Sequence, residues 1–288
     1  MTDTAGAEAN AVQRECWNSA VAAKWVRHQA VMDGLLAEVT ERLMAAAAPR
    51  PGHSVLDVGC GAGTVTLEAA RRVGPEGRVL GLDLSAPLLE RARERLRDEG
   101  LERVALLEAD AQTAPLEPAG FDLVVSRFGV MFFADPVAAF GNLRAALRPG
   151  GRIAFAAWAE LDANPWFAVP RRAAVDRLGE PAPAAPRSPG PFAFAEAPYV
   201  MEILTSAGFA DVLVERERVA LRHPGGAAEA AKLACDLGPT AGILRELEGT
   251  QDDAAAIAAA AAAAFAPFAS GSEVAIPAVV NLAQARRG

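Results

Sequence analysis

The densest chemical signal in the chain lies between Asp57 and Gly63, where an acid stands two residues ahead of Gly59-Cys60-Gly61-Ala62-Gly63. A glycine-rich turn between a strand and a helix lets a ligand approach the backbone and places it at a helix N-terminus. The dinucleotide fingerprint needs its third glycine one position later, and that position is Thr64. Asp57 sharpens the distinction. A carboxylate there would repel a pyrophosphate and favour a ligand that carries positive charge. Cys60 enters as a small residue of the turn, in contact with whatever the turn holds.

Further acids follow at telling distances. Asp83 comes about 20 residues after the turn, where an Asp or Glu bonds ribose hydroxyls; the alternative is a helix cap, for which Ser85 competes. Asp110, in Glu108-Ala109-Asp110-Ala111, could accept a bond from the exocyclic amine of a nucleobase, or be a loop acid without a ligand. His28 and His223 are the candidate general bases, against the plain reading of solvated or core-edge histidines. His53 precedes a strand and reads as structural, and the three histidines have no metal-ligand spacing. Arg127 could orient an anionic or carbonyl-bearing substrate, or bridge to a covering helix. Phe128, Met131, Phe132 and Phe133 could line an apolar pocket or close a core edge.

The elements that must position these residues can be read from periodicity. Glu8 to Ala48 is helical in pattern, with Leu35, Leu36, Val39, Leu43 and Met44 at three- and four-residue steps until Pro49-Arg50-Pro51-Gly52. Ser54–Val58 is a first strand and Thr64–Val73 a first helix, ended by Gly74-Pro75. Strands at Arg78–Asp83, Val104–Leu107, Phe121–Ser126 and Arg152–Trp158 alternate with helices, one over Ala86–Asp98 and one begun by Asp135-Pro136. Continuously apolar strands alternating with helices predict a parallel sheet covered on both faces. Ala159 to Ala195 reads as an irregular insertion, Pro198–Ala207 as a helix, Asp211–Leu221 as a strand, Ala227–Phe268 as two or three helices and Glu273–Arg286 as a final strand. The mixed charges of Leu88–Arg97 read as a solvated helix face.

Composition narrows the functional classes. A formal net charge of −8 with no basic block argues against nucleic acid as the main partner. Cys16, Cys60 and Cys235 are few, odd in number and widely spaced, which suggests neither a disulfide framework nor a zinc site and fits a reducing compartment. The first residues lack the charge and apolar pattern of a signal peptide, and no run reaches the roughly 18 apolar residues of a membrane span. The expectation is a cytoplasmic protein without stable membrane insertion, acting on a small molecule; oligomeric state stays open, a homodimer included.

Val55-Leu56-Asp57-Val58-Gly59-Cys60-Gly61-Ala62-Gly63, Gly81-Leu82-Asp83-Leu84-Ser85, Glu108-Ala109-Asp110-Ala111, Phe121-Asp122-Leu123-Val124-Val125-Ser126 and Leu147-Arg148-Pro149-Gly150-Gly151 follow in one order. That set resembles the motifs of class I S-adenosylmethionine-dependent methyltransferases, and most of all the small-molecule branch of ubiquinone/menaquinone-type and natural-product enzymes. S-adenosylmethionine carries a sulfonium and an ammonium and no phosphate, the charge that the Asp57 turn asks for. The resemblance implies a Rossmann-like, doubly wound α/β sheet of seven strands in the order 3-2-1-4-5-7-6, the last antiparallel. It also implies cofactor contacts from Gly59, Gly61, Asp83, Leu84, Asp110, Ala111 and the Ser126–Arg127 turn, with Gly63 completing the loop. Trp17 and Trp25 resemble the aromatic-bearing N-terminal segment that covers the donor in relatives, though plain helix packing explains Trp25 equally well.

The expected organisation is an N-terminal helical lid over residues 1–50 and a cofactor-binding core over 51–158. Residues 159–288 complete the sheet and carry cap insertions at about 159–195 and 225–270. This last region departs from the family pattern, in which the final two strands form a close hairpin. The implied reaction is methyl transfer to a small, apolar or aromatic acceptor by in-line displacement, driven by proximity and orientation. Two alternatives remain at this point: a protein that binds S-adenosylmethionine without transferring its methyl group, and, more remotely, an NAD(P)-dependent oxidoreductase.

Overall fold

The computed structural model describes residues 10–288. Its centre is a sheet in which β1 (Ser54–Val58), β2 (Arg78–Asp83), β3 (Ala105–Glu108), β4 (Phe121–Arg127) and β5 (Leu147–Trp158) run parallel. β6 (Ala210–His223), the two-residue β7 (Ala269–Ser270) and β8 (Glu273–Arg286) complete it, in the order β3-β2-β1-β4-β5-β8-β6 with β7 paired to β8. This is the expected Rossmann-like order. The last long strand is counted eighth rather than seventh only because of the β7 stub, and it runs antiparallel to both β5 and β6. β1 is buried at every position, as a central strand covered on both faces must be.

The crossovers obey their caps. α5 (Thr64–Val73) starts from Gly63 and ends at Gly74, both with positive φ. α6 (Ala86–Asp98) is capped by the Ser85 hydroxyl, which accepts from the Leu88 amide. α7 (Pro136–Ala146) is capped by Asp135 with Pro136 in its first turn.

Elsewhere the elements differ from the sequence pattern. Within the described residues the run expected over Glu8–Ala48, whose first two residues lie outside them, is four short helices, α1 (Ala11–Trp17), α2 (Ala20–Arg27), α3 (Gln29–Leu35) and α4 (Ala37–Ala47). Ser19 caps α2, and the apolar positions of α3 and α4 (Met32, Leu35, Val39, Leu43, Met44) are buried, whereas α1 buries none. The Ala159–Ala195 insertion is not irregular throughout: α8 (Pro165–Leu178) occupies its first half, with Pro170 inside it. An interior proline removes one ladder bond, so the pattern masked a helix that packing restores. After α9 (Ala197–Ser206), three helices separate β6 from β8: α10 (Gly226–Leu237), α11 (Pro239–Glu246) and α12 (Gln251–Phe265). β6 and β8 still pair along their whole length. Trp158, at the end of β5, pairs with Val280, yet the ribbon continues beyond it, Arg218–His223 against Val279–Val274. That overhang carries α10–α12 past the carboxyl ends of the parallel strands, where open α/β sheets bind ligands. Among the described residues no helix is long and apolar enough to cross a membrane.

Candidate functional site

A cavity of about 810 Å³ opens at the carboxyl ends of β1, β2 and β4, between the N-terminal helices and the cap. One side is the glycine turn. Gly59, Gly61 and Gly63 all have positive φ (66°, 54° and 85°). Gly59 carries a second constraint: a Cβ there would lie 2.5 Å from the Gly129 Cα, because the chain leaving β4 crosses directly over the turn. The buried Ser126 hydroxyl holds that crossing by donating to the Val58 carbonyl (2.7 Å) and accepting from the Gly129 amide (3.1 Å). Ser126 therefore braces β4 against β1 and does not line the cavity, contrary to the contact role expected of it. Gly63 likewise serves as the α5 cap rather than as lining.

The acids sit at the ends of their strands. Asp57 is buried, and its Oδ2 accepts from the Thr66 hydroxyl (2.6 Å), while Oδ1 has no partner among the described residues. Burial pushes its carboxyl up to about 7, against the pull of Thr66 and of the Arg127 guanidinium. The simple picture of a fixed negative charge thus needs correction. Asp57 is only partly ionised near neutral pH here, and a cation beside it would favour the anion. Asp83 accepts from the Gly61 amide (2.7 Å) and the Ser85 amide (2.8 Å), so it organises two loops at once, and burial raises its pKa against those bonds. Ser85, not Asp83, caps α6. Asp110 accepts from the Gln112 amide (2.9 Å) and from Asn10 Nδ2 (2.7 Å). Asp57, Gly59, Cys60, Gly61, Asp83, Leu84, Asp110, Ala111 and Trp17 all line the cavity, as expected for contact residues. The buried Cys60 thiol is pushed well above its usual range and stays protonated.

Sequence reasoning missed the side chains that fasten the N-terminal helices to this wall. Asn10, buried, reaches both Asp110 and, through its Oδ1, the Ala134 amide (3.1 Å). Asn18 bonds the Leu84 carbonyl (2.9 Å) and the Ala86 amide (3.0 Å), pinning the α1–α2 corner to the loop after β2. Asp33 of α3 is the hub. It accepts from Gln29 (2.6 Å), from the Thr64 hydroxyl at the start of α5, and from Arg95 (2.7 Å), which also donates to the Ala62 carbonyl (2.6 Å). Arg91, one turn earlier on α6, bonds Gln29 (3.2 Å). The inner part of the charged α6 face is therefore an anchor for the lid helices and not solvated, while Glu90 and Arg93 keep the expected exposed pairing. Only i, i+3 charge spacing was visible in the sequence; nothing local marks Asp33 as its partner.

The other side of the cavity is aromatic and aliphatic. Phe128, immediately after β4, takes a left-handed φ of 67°, rare for a bulky residue. Its ring stacks on Trp158 at 4.2 Å with 8° between planes, and Trp158 meets Phe167 edge-on at 5.0 Å. Met131, Phe132 and Phe133 also face this space, and Trp17 packs edge-on against Phe132 at 5.3 Å. Arg127 lies between the two walls. Its Nη1 donates to the Thr40 hydroxyl (2.7 Å), and Nη2 is 3.9 Å from Asp33. Burial lowers its pKa against the opposing pull of Asp33 and Asp57. The bridge to the covering helices is therefore present, and the same side chain lines the cavity.

The two candidate bases are elsewhere. His28 pairs with Asp236 (3.1 Å), which also takes Lys24 (2.6 Å), and does not line the cavity. His223 is buried at the far end of β6, accepts from the Gly225 amide (3.0 Å) and has its pKa lowered by burial. Neither imidazole reaches the space where an acceptor would sit, so the structure withdraws both.

Residues 55–151 match a family described as a methyltransferase domain. The nocamycin O-methyltransferase of Saccharothrix syringae is 35% identical over 199 residues, 66% of this chain and 71% of that protein. The aklanonic acid methyltransferase DauC of Streptomyces sp. (strain C5) is 39% identical over 114 residues, 40% of this chain and 52% of the relative. A UbiE C-methyltransferase of Cellvibrio japonicus is 34% identical over 135 residues, 46% of this chain. This chain spans 52% and 54% of the last two relatives, about half their length. Among solved structures the YcgJ protein of Bacillus subtilis superposes with a TM-score of 0.55 at 16% identity, over 86% of this chain and 97% of that one. The (4+2)-cyclase SpnF superposes with 0.54 at 21% identity, over 87% and 80%. At those identities the likeness is one of fold.

Proposed function

This chain belongs to the S-adenosylmethionine-dependent methyltransferase family, and we propose that it transfers the methyl group of that donor to a small apolar or aromatic organic acceptor. The carrying observation is that one continuous cavity joins the glycine turn to the Phe128–Trp158 chamber, so donor and acceptor meet without crossing solvent. The donor wall fits a molecule that is cationic, carries ribose and adenine, and lacks phosphate. Asp57 Oδ1 is a buried acceptor without a partner among the described residues, which an ammonium would satisfy. Asp83 and Asp110 each keep lone pairs beyond their loop bonds, for ribose hydroxyls and an adenine amine.

A second group, besides Asp57, supports a donor without pyrophosphate. The Asp33 carboxylate is lodged beside Thr64, in the first turn of α5, where a pyrophosphate would otherwise meet the helix N-terminus.

S-adenosylmethionine supplies a methyl group already activated on a sulfonium. What remains for the chain is orientation and dryness. Asp57, Asp83 and Asp110 fix the donor side, Phe128, Trp158 and Phe167 give the acceptor an apolar wall, and α1–α3 with α10 and α11 close the cavity from above. The N-terminal helices and the cap act together as the lid. The names of the relatives support a natural-product-like acceptor: one acts as a nocamycin O-methyltransferase, another on aklanonic acid.

Calorimetric titration with S-adenosylmethionine, S-adenosylhomocysteine and NADH tests the donor. Micromolar binding of the first two without the third is the expected result, and NADH binding alone would overturn the reading. Because a fold neighbour is described as a cyclase, transfer itself must be read as S-adenosylhomocysteine formed in step with consumption of an aromatic acceptor. Donor binding without that product across phenols, carboxylic acids and quinols would leave a binding protein instead.

A further inference from the structure

The charges in the cavity do not balance once the donor wall is set apart. Lys24 is matched by Asp236 (2.6 Å), and Asp33 by Arg95 (2.7 Å). Two guanidinium groups remain over the acceptor side. Arg127 is 14% exposed, and of its five N–H groups one, on Nη1, is hydrogen-bonded among the described residues. Its nearest carboxylate oxygen is 3.9 Å away on Asp33, which already accepts from Gln29, Thr64 and Arg95. Arg245 of α11 also lines the cavity, exposed at the cap, with no ion pair or hydrogen bond among the described residues. A buried, under-bonded guanidinium is costly unless an anion completes it, and the planar fork of arginine suits two-oxygen groups.

Proton removal points the same way. Among the described residues the lining holds no histidine and no tyrosine, its lysine and the Asp33 carboxylate are engaged as above, Asp236 is held by Lys24 and His28, and Asp57, Asp83 and Asp110 belong to the donor wall. A neutral alcohol or a protonated amine would need a base to give up its proton. An acceptor that enters as an oxyanion would not.

Resting on the methyltransferase reading, we propose that the acceptor is an ionised oxygen acid, a carboxylate or acidic phenolate on a flat apolar frame. Arg127 holds the anion beside the donor, and Arg245 draws it in at the mouth. In the transfer, the acceptor oxygen forms a bond to the donor methyl carbon as the carbon–sulfur bond breaks. The electron pair of that bond stays on sulfur. One negative and one positive charge disappear together, the products are a neutral methyl ester or ether and S-adenosylhomocysteine, and no proton moves. A dry aromatic wall favours that loss of charge, which gives Phe128, Trp158 and Phe167 an electrostatic role as well as a steric one.

The test uses the whole protein saturated with S-adenosylhomocysteine and two probes of one shape, anthraquinone-2-carboxylate and the neutral 2-hydroxymethylanthraquinone. Quenching of the tryptophan emission reads their dissociation constants. The carboxylate should bind about 10- to 100-fold more tightly, the range of a charge-assisted pair, and Arg127→Gln should bring the ratio near one. Arg245→Gln, at an exposed position, should weaken the carboxylate several-fold without touching the neutral probe. Equal affinity for the two probes in the unaltered protein, or failure of both to bind, overturns the proposal. So does a ratio that survives both substitutions. Failure of S-adenosylhomocysteine to saturate the protein would instead sink the methyltransferase reading, so the two failures are distinct.

Discussion

The two walls of the cavity are built by different means. The donor wall is made of backbone. Gly59 and Gly129 touch where side chains cannot fit, the amides of Gly61 and Ser85 hold Asp83, and the amides of Gly59 and Cys60 both reach the Leu82 carbonyl. The acceptor wall and its lid are made of side chains from elements far apart in the chain: Asp33 with Arg95, Lys24 with Asp236, Phe128 with Trp158 with Phe167. Backbone construction tolerates few residue types at each position, whereas side-chain construction can be met by many combinations. The family match over residues 55–151 falls on the first kind. What the walls share is that each leaves a charged group incomplete, Asp57 on one side and Arg127 on the other.

The contrast breaks if a backbone-built position proves tolerant. Gly59→Ala adds a Cβ at 2.5 Å from Gly129 to a residue with φ of 66°, whereas Gly61→Ala has a similar φ of 54° and open space around it. Gly59→Ala should cost about 2–5 kcal/mol in strain and clash, and Gly61→Ala only about 1–2 kcal/mol of left-handed strain. Denaturant unfolding with parallel titration of S-adenosylhomocysteine checks both. Equal effects would mean that conformation alone, and not the crossing of β4 over the turn, governs this wall.

On the side-chain wall, Asp33→Ala should be the most damaging single change. It leaves Arg95 (17% exposed) without its carboxylate and frees Thr64 and Gln29. Breaking a fully buried pair costs about 3–5 kcal/mol; with partial exposure, about 2–3 kcal/mol is expected here. Proteolysis between α1 and α4 should quicken at the same time. If α1–α4 stayed as protected as before, the lid would be held by packing alone.

How far each wall could be read in advance follows from that construction. The alternation of strands and helices, the glycine turn and the caps at Ser85 and Asp135 were legible, because local rules impose those residue types; the strand order came only with the family resemblance. α8 was hidden by Pro170, a helix breaker tolerated because Trp166, Phe167 and Ala174 are buried on that helix. The lid's fastenings were not legible at all. Asn10, Asn18 and Asp33 are ordinary polar residues until the fold brings Asp110, Leu84 and Arg95 to them. The same holds for the histidines. His28 and His223 carry the right chemistry for a base, but the cavity's position relative to α2 and β6 decided that neither could serve.

A gentler probe of the donor wall is pH. In the ligand-free protein the Asp57 carboxyl sits at about 7 against an ordinary 3.8. Its contribution to stability is therefore complete below about pH 4 and is lost as pH rises towards and through 7. A cationic donor needs the ionised form, so donor affinity should run the opposite way, rising by up to about tenfold per pH unit below 7 and levelling above it. Calorimetry in two buffers of different ionisation heat should show a proton released on binding near pH 6 and none near pH 8. Asp57→Asn should remove the dependence. An unaltered protein whose affinity is flat across this range would mean that Asp57 meets no cation, and the donor wall would lose the feature that sets it apart from a plain glycine turn.

The smallest expected effect tests whether the cap is mechanically separate from the donor wall. α12 begins with a capping box in which the Thr250 hydroxyl accepts from the Asp253 amide (3.1 Å) while the Asp253 carboxylate accepts from the Thr250 amide (2.9 Å). Thr250→Ala should cost about 1 kcal/mol, a few degrees in Tm at most for a chain of this size. α12 packs on α8 and α10, burying Ile257, Ala261 and Phe265, and none of its residues lines the cavity. The loss should therefore show as faster hydrogen exchange in α12, with S-adenosylhomocysteine affinity unchanged within about twofold. Acceptor binding should weaken slightly, because α10 and α11 form one side of that chamber. If donor affinity fell in step with stability, the ribbon of β6 and β8 would be transmitting cap strain into the sheet, and the two walls would be one mechanical unit despite their different construction.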